Sequence, residues 1–173
     1  YVVGIGTFHS IEDSIEWMGN GFLHTIIAIM MSALAALIIG VISLRTSGIY
    51  FIMITLAFAQ MFYYIAVGNE KYGGDDGLSL YIRSDFNGLL DLSDDNVLYY
   101  LNYFFLIFTL YISHRLINSR FGIVLRGVKS NDKRMMSLGF PIFRYQLVAF
   151  VISGSICGLA GVLSANQTDF VSP

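Results

Sequence analysis

The sequence predicts an all-α integral membrane protein, a polytopic transmembrane helix bundle with about four spans in this chain. Three observations predict it. Only 13% of the residues are charged and 55% are hydrophobic, whereas about a quarter of residues are charged in soluble domains. Four apolar stretches, 21–43, 48–68, 97–117 and 146–165, run almost without charge, and each is long enough to cross a ~30 Å hydrocarbon core at ~1.5 Å per residue. Lys and Arg, finally, gather in alternate connections between these stretches.

The elements follow in order. Residues 1–20 mix Gly, Ser and acids with apolar positions. Ile11, Ile15 and Met18 suit one face of a short interfacial helix, with Trp17 at the membrane boundary. With no initiator Met and an abrupt stop at Pro173, the chain reads as a piece of a longer membrane protein. In the first span Ser32, Ala36 and Gly40 recur every four residues, a smooth strip that lets another helix approach closely. His24 reads as a boundary residue. The second span carries Gln60 near its middle. An amide in hydrocarbon is costly unless hydrogen-bonded, so Gln60 either bonds another helix or, with Thr55, faces a polar pathway.

The connection 69–96 is polar. Gly73, Gly74 and Gly77 around Asp75 and Asp76 mark a tight turn. Asp91, Ser93 and Asp95 begin like a calcium loop, but the sixth position is Asn96 and the twelfth Asn102, not the required Gly and Glu. The glycines lack a following Lys-Ser/Thr, so they form no phosphate loop. Asp95 or Asn96 suits the cap of the next helix. The third span is crowded with Tyr and Phe, has almost no small residues, and is expected on the lipid-facing rim. In the fourth, Ala149, Ser153, Cys157, Gly161 and Ala165 recur every four residues, with Gly154 and Gly158 beside them. This pattern predicts a tightly packed helix inside the bundle, with residues 166–173 emerging beyond it.

Between the third and fourth spans lies the longest basic segment, 118–145. Phe121, Val124, Leu125 and Val128 share one face of a short helix, and Arg126, Lys129, Ser130 and Lys133 share another. Asn131 or Asp132 can cap a second short helix, Gly139 suits a left-handed terminus and Pro141 stops continuation. A solvated basic loop accounts for the charge; the sharper expectation is that the apolar face docks into a partner protein.

Charge orients the bundle. One side receives Arg45 and the loop from Arg115 to Arg144, eight of the ten Lys and Arg residues; the other receives eleven of the twelve acids. By the positive-inside rule the basic loop is expected to be cytoplasmic. A net charge of −2 argues against nucleic acid as a partner, and a lone Cys157 rules out a disulfide framework or a thiolate metal site. Ser153 and Ser155 lie within a span while the histidines lie near boundaries or in loops, which argues against an intramembrane serine protease.

The stretches SLRTSGIYFIMITLAFAQM, YGGDDGL, SRFGIVLRGVKSNDKRMMSLGFPIFRYQLVAFVISGSICGLAGVL and DFVSP together resemble the permease subunit of branched-chain amino-acid ABC transporters, of the LivM type. The resemblance covers residues 40–173 and implies an all-helical bundle of more than four spans. It implies that the basic loop docks on an ABC ATPase subunit through positions Gly122, Arg126, Asn131, Asp132, Leu138 and Gly139, although residues 131–135 read Asn-Asp-Lys-Arg-Met where family members commonly show Glu and Ala. It also implies a second permease subunit, a periplasmic amino-acid-binding protein and the bacterial inner membrane. The chain itself would be no enzyme and bind no cofactor, ATP and magnesium being held by the partner subunits. Competing expectations are a permease for urea, amides or other polar metabolites, and a membrane scaffold without transport.

Overall fold

The computed structural model describes residues 4–5, 21–69, 77–79, 95–168 and 170–171. The helix expected around Trp17 and the turn at Gly73 and Gly74 lie outside the described residues. Four long helices dominate: α1 (Gly21–Ser43), α2 (Ile49–Val67), α3 (Asp95–Ile117) and α6 (Ile142–Thr168). All four are long and apolar enough to cross a membrane. Two short helices, α4 (Arg120–Ser130) and α5 (Asp132–Ser137), connect α3 to α6. The described part of α3 begins at Asp95, and the residues leading into it lie outside the described residues.

The main contact joins α1 to α6, and it is antiparallel, since Gly158 meets Ala28 and Ser32, Gly154 meets Ala36, and Gly40 meets Leu147 and Phe150. Small residues make it possible. Ala28 and Ala36 of α1 and Val162 and Ala165 of α6 are buried. A Cβ on Gly158 would come within 2.6 Å of Ser32 Cβ, and one on Gly154 would collide with Ala36 Cβ. Ser32 Oγ donates to the Gly154 carbonyl at 2.6 Å. Lipid supplies no hydrophobic drive between helices, so such close backbone approach and interhelical hydrogen bonds supply the attraction.

Of the small residues of α6 expected to pack, Gly154 and Gly158 make this contact, together with Val162 against Ala28. Ser153 and Cys157 stand beside it, exposed along a groove that Ser32 and Ala36 of α1 also line, and Gly161 is exposed. Among the described residues nothing lies within 4 Å of a Cβ built on Gly161. The four-residue repeat and the contact sit on adjacent faces of one helix, and both carry small residues, so the repeat alone could not choose between them. Nor is α6 enclosed by this chain: its buried residues are Ile142, Val162, Ala165 and Asn166.

The remaining spans are loosely held. The turn from Ser43 to Gly48 is closed by Thr46, whose N–H and hydroxyl both donate to the Ser43 carbonyl at 3.0 and 2.7 Å. It returns α2 beside α1, yet no residue of α2 is buried. Phe51 meets Phe150 edge to face at 6.4 Å. On α3, Tyr99 stacks on Tyr103 and Phe104 on Phe108, one turn apart along an exposed, bulky surface.

Two short strands tie connections together at one end of the bundle. Leu78 and Ser79 (β1) pair antiparallel with Phe170 and Val171 (β2), in the register Leu78 to Val171 and Ser79 to Phe170. Gly77 leads in with φ +78°, and a Cβ there would sit 2.7 Å from both the Phe170 ring and the Val171 carbonyl. This pairing requires the connection after α2 and the segment after α6 to lie on one side, the side opposite α4 and α5.

Candidate functional site

The α4–α5 unit is built from a chain of caps. Ile117 ends α3, and its carbonyl would otherwise be orphaned. Arg126 reaches back nine residues and donates its guanidinium to that carbonyl at 2.5 Å. Ser119 serves both helices: its hydroxyl donates to the Leu116 carbonyl at 2.6 Å and accepts from the Gly122 N–H at 3.4 Å, capping α4. Gly122 is buried because a Cβ would overlap the Ile117 carbonyl.

Asn131 then breaks the helical path. Its φ of −157° and ψ of 102° are extended, its N–H closes α4 on the Gly127 carbonyl at 3.0 Å, and its side chain accepts from the Arg134 N–H at 3.1 Å to cap α5. Asp132 in the first turn of α5 suits the positive end of the helix dipole. At the far end Gly139 adopts φ +84°. Its N–H bonds the Met136 carbonyl at 2.9 Å while the Phe140 N–H reaches Met135 at 3.4 Å, the paired bonds of a Schellman cap. Pro141 follows and α6 begins at Ile142.

Folding back at Asn131 decides where the apolar stripe goes. Val124 and Val128 bury against Ile142, with Met135 and Tyr145 packed around them. Phe121 lies 5.6 Å from the Tyr145 ring. Gly127 admits Met135, whose sulfur would stand 2.8 Å from a Cβ at that position. Half of the stripe expected to enter a partner, Val124 and Val128, is therefore covered by the chain's own α6, while Phe121 and Leu125 stay half-buried. What remains outward is cationic, with Lys129, Lys133 and Arg134 exposed, and tipped by two large apolar side chains, Met136 at 61% and Leu138 at 64% exposure.

The six expected loop positions thus fall within one continuous unit, in different roles. Gly122 and Gly139 shape backbone, Asn131 and Asp132 start α5, Arg126 holds the end of α3, and Leu138 is presented outward. The span positions are dispersed. Thr55 turns its hydroxyl onto its own helix, 3.1 Å from the Phe51 carbonyl and 3.0 Å from that of Ile52. Gln60 is exposed and makes no interhelical hydrogen bond among the described residues. Five residues separate the two, roughly 140° around a helix. Ser153 and Cys157 instead line a groove of about 360 Å³ with Ser32, Ala36, Phe62 and Phe150. Among the described residues no group of three or more His, Cys, Asp or Glu could hold a metal ion.

Three polar residues near the ends of spans are buried, which their sequence neighbourhood did not reveal: His24 reads as a boundary residue and Asn166 as the start of an emerging segment, yet Asn166 lies inside α6. Ser43 is fully buried; His24 and Asn166 are 3% exposed. Asn166 donates to the Val162 carbonyl at 3.0 Å, while neither ring nitrogen of His24 has a hydrogen-bond partner among the described residues.

Four membrane-spanning helices, with a capped helical pair between the last two, define a multi-pass α-helical membrane protein. Residues 2–173 match the family described as the branched-chain amino acid transport system permease component, and the chain belongs to that family. It is 28% identical, over its full length, to the high-affinity branched-chain amino acid transport system permease protein LivM of Escherichia coli (strain K12). It is equally similar to the LivM protein of Salmonella typhimurium (strain LT2). The chain spans 46% of the length of each of these relatives. No solved structure matches it significantly.

Proposed function

We propose that this chain forms part of a permease subunit of an ATP-binding-cassette importer that moves branched-chain amino acids across a bacterial inner membrane by alternating access. The observation that carries the reading is the family match along essentially the whole chain, and the LivM relatives, named as transport permeases for these amino acids, agree with it. The α4–α5 unit supports a docking role, since it offers a small apolar tip, Met136 and Leu138, on a cationic surface.

In this reading ABC ATPase subunits bind and hydrolyse ATP with magnesium, and this chain holds neither. A periplasmic binding protein delivers the amino acid, and a second permease subunit completes the pathway. Closure of the ATPases draws the α4–α5 unit sideways. Val124, Val128, Ile142 and Tyr145 make that unit one packed body with the start of α6, so its motion tilts α6 and, through the close contact with α1, opens the bundle inward. The cytoplasmic placement of the unit rests on the concentration of Lys and Arg on its side.

Uptake by the assembled importer tests the substrate. Leucine uptake should be competed by isoleucine and valine. Competition by urea or short amides in their place would move the assignment to a permease for polar metabolites, and failure to copurify with an ATPase would leave a scaffold. Sidedness is tested at Ser130: a cysteine there should react with an impermeant thiol reagent only from the cytoplasmic side.

A further inference from the structure

A groove of about 200 Å³ opens where α3 meets α4, and its occupant can be argued from its lining. The floor is apolar: Leu116 and Ile117 from the last turn of α3, Phe121 and Leu125 from α4. Gly122, Arg126 and Lys129 complete the lining. Arg126 and Lys129 lie three residues apart, neighbours on one helix face. Arg126 commits one N–H donor to the Ile117 carbonyl, and a guanidinium has five. Lys129 is exposed and makes no side-chain hydrogen bond among the described residues. Between residues 96 and 168 the sole carboxylate is Asp132, which starts α5 and does not line the groove. No carboxylate in the lining pairs with Arg126 or Lys129, whose side chains border an otherwise apolar groove and are exposed.

Depth selects among the candidates. Leu116 and Ile117 are the end of a membrane span, so the groove lies at the boundary between hydrocarbon and headgroups. A free anion would satisfy the two cations and leave the apolar floor wet. A soluble partner would have to push a side chain into the headgroup layer. An amphiphile with an anionic head satisfies both parts at once, since basic pockets beside spans attract acidic headgroups. We propose that this groove is a site for an anionic phospholipid, its phosphate between Arg126 and Lys129 and the upper part of one acyl chain along Leu116, Ile117, Phe121 and Leu125. This site is separate from the outward tip of Met136 and Leu138, and it requires only that α3 spans the membrane.

The full-length protein, reconstituted in equal parts of phosphatidylcholine and phosphatidylglycerol and then extracted, provides the test by native mass spectrometry. Lys129→Gln breaks no intramolecular hydrogen bond among the described residues and should retain phosphatidylglycerol about fivefold less well than wild type, the effect of one cation near a membrane surface. Adding Arg126→Gln should deepen the loss, whereas Lys133→Gln, outside the groove, should retain the lipid normally. Inorganic phosphate should not displace it. Equal retention by Lys129→Gln and wild type, or an equal loss in Lys133→Gln, would overturn the proposal. So would a Lys129→Gln protein that keeps its lipid but no longer copurifies with an ATPase subunit, which would give the groove to a protein partner.

Discussion

The Ser32 hydroxyl donates to the Gly154 carbonyl at 2.6 Å, across the antiparallel contact between α1 and α6. This bond exists because Gly154 has no side chain: a Cβ there would meet Ala36. Gly154→Leu should therefore destabilise the protein by about 1–3 kcal/mol, the usual cost of overpacking. Gly161→Leu, which adds its side chain where nothing among the described residues lies within 4 Å, should stay within about 0.5 kcal/mol of wild type. Ser32→Ala should cost about 0.6 kcal/mol, the average for an interhelical hydrogen bond in a membrane. Thermal unfolding of the three variants in one detergent ranks them, and an equal loss at both glycines would contradict the observed helix face.

Gly139 sits at φ +84° with nothing within 4 Å of a Cβ, so backbone conformation, not space, selects glycine. Gly139→Ala should cost about 1 kcal/mol and leave uptake measurable. Gly139→Pro forbids that φ and removes the N–H that closes on Met136. It should uncouple ATP hydrolysis from uptake while membrane insertion continues. Normal uptake by the proline variant would count against a docking role for this turn.

Burial separates two apolar residues of the same unit. Val128 is packed against Ile142, while Leu138 is 64% exposed. Val128→Asp should unfold the α4–α5 unit and raise its proteolysis. Leu138→Ser should leave melting unchanged and weaken ATPase copurification about tenfold, the order expected for loss of a modest interface anchor. If Leu138→Ser binds the ATPase as wild type does, the partner surface lies elsewhere.

The β1–β2 pair predicts a cross-link. Leu78 and Val171 are register partners, and partners on adjacent strands lie within the Cα separation a disulfide spans. Leu78→Cys with Val171→Cys should close a disulfide under mild oxidation, and adding Gly77→Leu should suppress it by driving off Phe170. Reaction of the pair regardless of residue 77 would argue against this register.

His24 is buried, and neither ring nitrogen has a hydrogen-bond partner among the described residues; a buried polar group without a hydrogen bond costs about 1–3 kcal/mol. His24→Leu should therefore melt no lower than wild type. A loss of uptake in that stable variant would reveal a functional need for the imidazole.

Much of this protein was legible in its sequence, for identifiable reasons. Hydrocarbon tolerates few charges, so the four spans and the alternation of their connections could be read directly. The local signals at Asn131, Gly139 and Pro141 are near-neighbour effects, complete within a few residues. The destination of the stripe Phe121, Val124, Leu125 and Val128 was not legible, because an apolar face does not say whether a partner or its own chain will cover it.

Chain composition and spacing alone determined that apolar helices cross a membrane and that a basic helical pair joins the last two. Only tertiary structure decided which of the small residues on α6 meet α1, here Gly154 and Gly158, that Ile142 and Tyr145 cover Val124 and Val128, and that β1 reaches β2. The reason is physical. A span that is apolar all round carries no mark of which side faces lipid, so the choice falls to fit, which exists only once two helices are placed together.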